Sequence, residues 1–184
     1  MNAVLSIAGS DSSGGAGIQA DIKTIAAHGL FAETAITALT AQNTLGVRSA
    51  MEATPRIVAD QIDAVFEDIP PAAVKVGMVS SAEIIEVIAE RLSAHRARNV
   101  VVDPVMVATS GSRLIDEGAV SALADALVPL ADIVTPNMPE AEVLAGFPVA
   151  DDDSMLRAAN AIVERAAAKG GATAVLVKGG HNVN

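Results

Sequence analysis

Short apolar runs rich in β-branched residues alternate with longer Ala-rich stretches of helical period along the whole chain, and this alternation restricts the fold more than any other feature. Such a pattern builds βαβ units, whose strands lie parallel and whose crossover helices pack on the sheet. Strands are expected at 3–8, 33–39, 73–76, 100–103, 133–135 and 174–178, and helices at 18–28, 55–67, 81–95, 117–127, 139–145 and 154–168. Local chemistry marks several ends. Thr54-Pro55 reads as an N-cap with a first-turn proline, Ser80-x-x-Glu83 as a capping box, and His28-Gly29 as a helix stop. Asp151-Asp-Asp153 is expected to be a solvated helix entry, and 106–114, with Thr109-Ser110-Gly111-Ser112, a flap on the ligand side. Hydrophobic residues make up 51% of the chain and aromatic residues only 2%, so Ala, Val, Ile and Leu must fill the core. At 184 residues the expectation is a single α/β domain over 1–184, with a mostly parallel central sheet flanked by helices on both faces.

Composition also removes classes of function. With 12 basic against 22 acidic residues the formal charge is −10, which opposes long-range attraction to nucleic acid or to an anionic membrane. The chain has no Trp or Tyr on which bases could stack. It has no Cys, hence no disulfide framework, thiolate metal site or cysteine nucleophile within these residues. The apolar run 3–8 is too short for a signal peptide and lacks a basic flank, and no run reaches membrane-spanning length. A cytoplasmic location is the expectation that follows.

The first strand runs into Gly9-Ser-Asp-Ser-Ser-Gly-Gly-Ala-Gly17, a loop of glycines and hydroxyls that opens a helix. Glycines there permit positive φ and close approach, and a helix start offers free N–H groups, so the loop is read as touching a ligand. A Gly-rich turn that merely reverses the chain is the plainer alternative. It is not a Walker A loop, because Gly9-x-x-x-x-Gly14 is followed by Gly15 and Ala16 rather than Lys. It is not a dinucleotide G-x-G-x-x-G fingerprint either.

In open α/β sheets ligands bind beyond the carboxyl ends of the strands, which selects a short set of polar residues. Asp21 and Gln42 follow the first two strands, Lys75-Val-Gly-Met78 ends the third, and Asp103-Pro104 the fourth. Asn137-Met-Pro-Glu140 follows the fifth and Lys178-Gly-Gly180 ends the last. Asp103 and Glu140 are hard oxygen donors suited to a hydrated Mg²⁺; Asn137-x-x-Glu140 reads equally as a capping box, and both can hold together. Lys178 before two glycines suits a nucleotide phosphate, or simply ends a strand. Gln42 offers the donor and acceptor that complement an aminopyrimidine edge, and Met78 can cover a ring face or fill core. The three His residues form no zinc site or nucleophile–base pair.

Taken in order, 8–22, 35–48, 74–79, 101–112, 134–143 and 175–182 resemble hydroxymethylpyrimidine/phosphomethylpyrimidine kinase, the thiamine-pathway family of the ribokinase-like superfamily. The resemblance implies a ribokinase-like three-layer fold and phosphoryl transfer from ATP, with Mg²⁺, to 4-amino-5-hydroxymethyl-2-methylpyrimidine and then to its monophosphate. It gives Gln42 the pyrimidine edge, with Gly9, Ala16, Asp21 and Met78 shaping the pocket. It gives Mg²⁺ to Asp103 and Glu140, and the nucleotide phosphates to Asn137 and Lys178. Family members continue past the position of Asn184 into a second Gly-rich turn that supplies an anion hole and a Cys or Asp base. No catalytic base is therefore expected within 1–184, and a sheet edge or apolar face is expected to be uncovered. The expected partners are the pyrimidine and ATP, with neither nucleic acid nor membrane, and the family suggests a homodimer. A pyridoxal kinase of the same superfamily, or a non-catalytic binding module for the chain as given, are the alternatives.

Overall fold

The computed structural model describes residues 2–106 and 117–179. In chain order the elements are β1 (Ala3–Asp11), α1 (Gly17–Ala27), β2 (Phe31–Asn43), β3 (Gly46–Glu52), α2 (Pro55–Asp68), β4 (Ala73–Val76) and α3 (Ala82–Ala94). They continue with β5 (Val100–Val102), α4 (Glu117–Ala122), β6 (Ile133–Val134), α5 (Met138–Ala145), α6 (Asp152–Ala168) and β7 (Ala174–Val175). The strands form one seven-stranded sheet in the order β3-β2-β1-β4-β5-β6-β7, parallel throughout except for the β2–β3 hairpin.

Alternation along the strands decides the faces. Leu5, Ile7, Val74, Val76, Val100, Val102 and Val134 are buried against Val58 and Ile62 of α2, Ile84, Ile85, Ile88 and Leu92 of α3, and Leu123 and Leu127. Each such side chain contributes about 1.5–3 kcal/mol by leaving water. On the opposite face α1 packs on β1 and β2. Beyond it, Lys75, Val101, Ile133 and Ala174 lie side by side in register. Ile133 is 40% exposed and Leu176 61%, so this face is uncovered among the described residues.

Most elements fall where expected, and the differences have local causes. β3 has no counterpart among the expected elements: five of its seven residues are exposed and lack alternation, and the strand exists because β2 supplies its ladder across a turn in which Asn43 Oδ1 accepts from Leu45 N at 2.9 Å. The helix expected over 117–127 is α-helical only to Ala122 and continues as a π-helical stretch, Leu123–Leu127, and a 3₁₀ turn, Val128–Leu130. Pro129, without an N–H, cannot continue the α ladder. α3 starts at Ala82 with Ser81 as N-cap and no side-chain cap bond, so the Ser80-x-x-Glu83 capping box does not form; Ser80 Oγ is buried without a partner. Thr54 caps α2 as expected, accepting from Ile57 N. His28 ends α1, followed by Gly29 at φ +72°. Asp151 is the N-cap of α6 and forms a reciprocal box with Ser154. Residues 107–114 of the expected flap lie outside the described residues.

The loop joining β1 to α1 is organised by Asp11. Its Oδ1 accepts from Ser13 N and Ser13 Oγ, both at 2.8 Å, and its Oδ2 from Gly15 N at 3.0 Å and Ala16 N at 2.8 Å. Its own N–H donates to Gln19 Oε1 at 2.8 Å, and Gly14 N donates to its carbonyl at 3.0 Å. Ala16, the residue at the N-cap position, has no side chain to cap with; the Asp11 carboxylate holds the N–H groups of Gly15 and Ala16 just ahead of the helix. Gly14 at φ +78° and Gly17 at φ +56° let the loop close around it. Burial of Asp11, 4% exposed, pushes its carboxyl up; the hydrogen bonds from Ser13, Ala16 and Gly15 outweigh this and hold it below the usual carboxylate range.

Two stability measurements follow. Asp11→Asn, which cannot accept all these bonds, should lower the urea-unfolding free energy at pH 7 by about 1–3 kcal/mol. Because the folded-state pKa is lowered, the Asp11 contribution is complete above the ordinary carboxylate range and fades as pH falls through the folded value, so the two proteins should converge in acid. Glu33 behaves oppositely: burial, with Asp68 nearby, raises its pKa, and its Oε2 is buried without a partner. Its stabilising, protonated state is present below the ordinary glutamate pKa and lost as pH rises through the raised value. Glu33→Gln should therefore raise Tm at pH 7 by about 2–4 °C and leave it unchanged in acid.

Candidate active site

The chain leaves β1 toward β2 through α1, and leaves β4 in the opposite direction toward β5 through α3, so the carboxyl ends of β1 and β4 diverge. A crevice at such a switch point is the ligand position dictated by this topology. Gly9 and Met78 face each other there: a Cβ on Gly9 would collide with the Met78 methyl group, so glycine makes room for the methionine. Thr37 Oγ1 donates to Met78 O at 2.8 Å and fixes the backbone that carries it.

Gln42 reaches the same edge because Ser12, in the Asp11 loop, grips its backbone. Ser12 Oγ donates to Gln42 O at 2.7 Å and accepts from Gln42 N at 2.8 Å. The Gln42 side chain is half-buried, its Oε1 3.4 Å from Thr40 Oγ1, and its amide nitrogen has no partner among the described residues. Ala16 is exposed at the start of α1. The N–H groups of Ser13, Gly15 and Ala16, in the loop ahead of α1, are held by Asp11, whereas the first turn of the helix itself begins at Gly17. Asp21 points below the crevice: its Oδ2 accepts from Ser6 Oγ at 2.6 Å and from Lys75 Nζ at 2.9 Å.

A second group forms where β5, β6 and β7 end. Asp103, with its N–H bonded to Val76 O at 2.8 Å, pairs through Oδ1 with Lys178 Nζ at 2.7 Å and lies 3.3 Å from Thr135 Oγ1. Asn137 and Lys178 form an isolated parallel bridge. Asn137 Oδ1 accepts from Glu140 N at 2.9 Å while Glu140 Oε2 accepts from Asn137 N at 2.8 Å, so the capping-box reading of this motif holds in the structure. Glu140 is 6% exposed. Burial raises its pKa, opposed by the Asn137 N–H and by Lys178, and reinforced by the negative charge of Asp103. A buried carboxyl beside the negative charge of a second suits a cation shared between them. Among the described residues no group of three or more His, Asp or Glu gathers, so water and phosphate oxygens would fill the remaining positions of a hard, hydrated divalent ion. The donor set fits such an ion.

The sequence missed one residue and one contact. Thr135 carried no signal beyond a hydroxyl at a strand end. The Asp21–Lys75 pair joins residues 54 apart, and only the fold shows that they meet. His28 and His95 end helices, the latter stacked on Phe66 and 2.6 Å from Asp63, and His181 lies outside the described residues.

The family model for phosphomethylpyrimidine kinase matches residues 11–184. The hydroxymethylpyrimidine/phosphomethylpyrimidine kinase of Haemophilus influenzae is 49% identical over 98% of this chain, which spans 65% of that protein's length. A crystal structure of phosphomethylpyrimidine kinase from Clostridium difficile 630 superposes with a TM-score of 0.91 at 49% identity, covering 100% of this chain and 78% of that one. The pyridoxal kinase of Staphylococcus aureus, solved with pyridoxal, gives 0.88 at 33% identity, covering 100% of this chain and 65% of that one. A match that begins in the Asp11 loop and runs through Gln42, Met78, Asp103, Glu140 and Lys178 makes this chain a member of the phosphomethylpyrimidine kinase family.

Proposed function

We propose that this protein transfers the γ-phosphoryl group of ATP to the hydroxymethyl oxygen of 4-amino-5-hydroxymethyl-2-methylpyrimidine, and then phosphorylates the resulting monophosphate on the way to thiamine diphosphate. The observation that carries the reading is adjacency: the Gly9–Met78–Gln42 group ends β1, β4 and β2, and the Asp103–Glu140–Lys178 group begins one strand away at β5. Relatives about half identical to this chain bear the names of kinases for these two pyrimidines. Gln42 reads the pyrimidine edge, with Gly9, Ala16 and Met78 around the ring and Asp21 beneath it. Asn137 and Lys178 hold the nucleotide phosphates.

A bound Mg²⁺ would neutralise phosphate charge, and Asp103 and Glu140 are the residues to hold it through water. In each transfer the acceptor oxygen forms a bond to the γ-phosphorus, the bond to the ADP oxygen breaks, and the hydroxyl proton of the first acceptor leaves. None of the described residues is assigned as the proton acceptor; the family resemblance locates that base beyond Asn184. The described side chains orient, exclude water and balance charge, which is most of what phosphoryl transfer asks of a protein. Use of ATP as the phosphoryl donor fits a cytoplasmic location.

The reading extends to a homodimer. β3 is an exposed edge strand, and antiparallel pairing of two copies about Ala50 sets Arg48 of each opposite Glu52 of the other. Sedimentation should show a dimer that Arg48→Glu dissociates and that adding Glu52→Arg restores; a monomeric wild type contradicts this.

The kinase reading is tested by ADP release from the same protein with the hydroxymethylpyrimidine or with pyridoxal. Release stimulated by the pyrimidine supports it, and consumption of pyridoxal alone contradicts it in favour of the pyridoxal kinases. Calorimetric binding of both pyrimidine and ATP without release would leave a binding module. Gln42→Ala should weaken pyrimidine binding by about 1–3 kcal/mol.

A further inference from the structure

Lys75 is the residue of the crevice that the proposed reaction leaves without a task. It points to the α1 side of the sheet, and its ammonium does not trail off into solvent. It turns along β4 toward the carboxyl edge and occupies the place where residue 77 would carry a side chain: a Cβ on Gly77 would sit 2.6 Å from Lys75 Nζ and 3.1 Å from Ala8 Cβ. Asp21 holds the ammonium there at 2.9 Å and is itself fixed by Ser6 Oγ at 2.6 Å. An ammonium has three N–H donors, and among the described residues Asp21 Oδ2 is the one side-chain partner that Lys75 has. The Lys75 side chain is 30% exposed.

The surroundings give this cation a use. The chain carries a formal charge of −10, so an anionic ligand needs local positive charge. The N–H groups of Gly15 and Ala16, just ahead of α1, are taken by the Asp11 carboxylate. Lys23 is tied to Gly14 O at 2.7 Å, and Lys178 serves Asp103 at the β5–β7 side. Lys23, Lys75 and Lys178 each have one hydrogen-bond partner among the described residues, and Lys75 is the one on β4, beside Gly77 and Met78.

Resting on the reaction proposed above, we infer that Lys75 binds the phosphate of the phosphorylated pyrimidine, the acceptor of the second transfer, and that Asp21 is the positioning residue that aims it. Gly77 is glycine so that the ammonium can pass. The unphosphorylated pyrimidine gains nothing from this contact, so Lys75 separates the two acceptors rather than strengthening both.

The test is calorimetric titration of wild type, Lys75→Met and Gly77→Ala with the hydroxymethylpyrimidine and with its monophosphate, each variant first shown to unfold cooperatively. The inference expects both variants to bind the monophosphate about tenfold to a hundredfold more weakly while binding of the unphosphorylated compound changes less than about twofold. Equal weakening for both compounds, or none for either, overturns it and leaves the kinase reading standing. A wild type that binds neither compound overturns the kinase reading, and this inference with it. Lys75→Arg, which keeps the charge, should recover part of the monophosphate affinity; recovery by Lys75→Gln to the same extent would assign the effect to packing and overturn the inference.

Discussion

The position of β1 in the sheet is the constraint on which the site depends. It pairs with β2 on one side and β4 on the other, and the chain leaves those strands in opposite directions. A crevice then opens at the carboxyl ends of β1 and β4, because the connections leaving them turn to opposite sides. Strand pairing delivers Gly9, Met78 and Asp103 to one edge, and the side chains need only be chemically suited to what arrives there. The buried valines, isoleucines and leucines of the α2–α3 face hold that edge in register.

Charge is managed locally within an acidic protein. Asp11 closes the glycine loop ahead of α1, and the loop positions Ser12 and, through it, Gln42. Asp21 restrains Lys75, and Asp103 restrains Lys178. Each lysine at the crevice is thus pre-oriented by a carboxylate, which limits the side-chain entropy lost when an anion binds. Glu140 is the exception, a buried carboxyl with no cation of its own in direct contact among the described residues.

Periodicity made the βαβ alternation legible, since one buried face per strand and one per helix leave a readable pattern. β3 was illegible because neither face of it is buried, and its order comes from β2. Asn137 and Glu140 were readable as a cap because their spacing is local, and the fold keeps that cap while bringing Lys178 alongside. The role of Asp11 was hidden by the glycines beside it; an Asp followed by Ser-Ser-Gly-Gly-Ala before a helix with no capping side chain is the signal that would have revealed it. The Asp21–Lys75 contact could not be read at all, because it exists only once α1 packs over β4's neighbour β1.

The central claim is that one crevice holds the pyrimidine beside the nucleotide phosphates. Amide chemical-shift mapping of this protein with the hydroxymethylpyrimidine, then with a non-hydrolysable ATP analogue and Mg²⁺, tests it directly. The account predicts that the first ligand perturbs Gly9, Gln42 and Met78, that the second perturbs Asp103, Asn137 and Lys178, and that Gly77 between them responds to both. Perturbations confined to the amino edge of the sheet, or to β3, would contradict it.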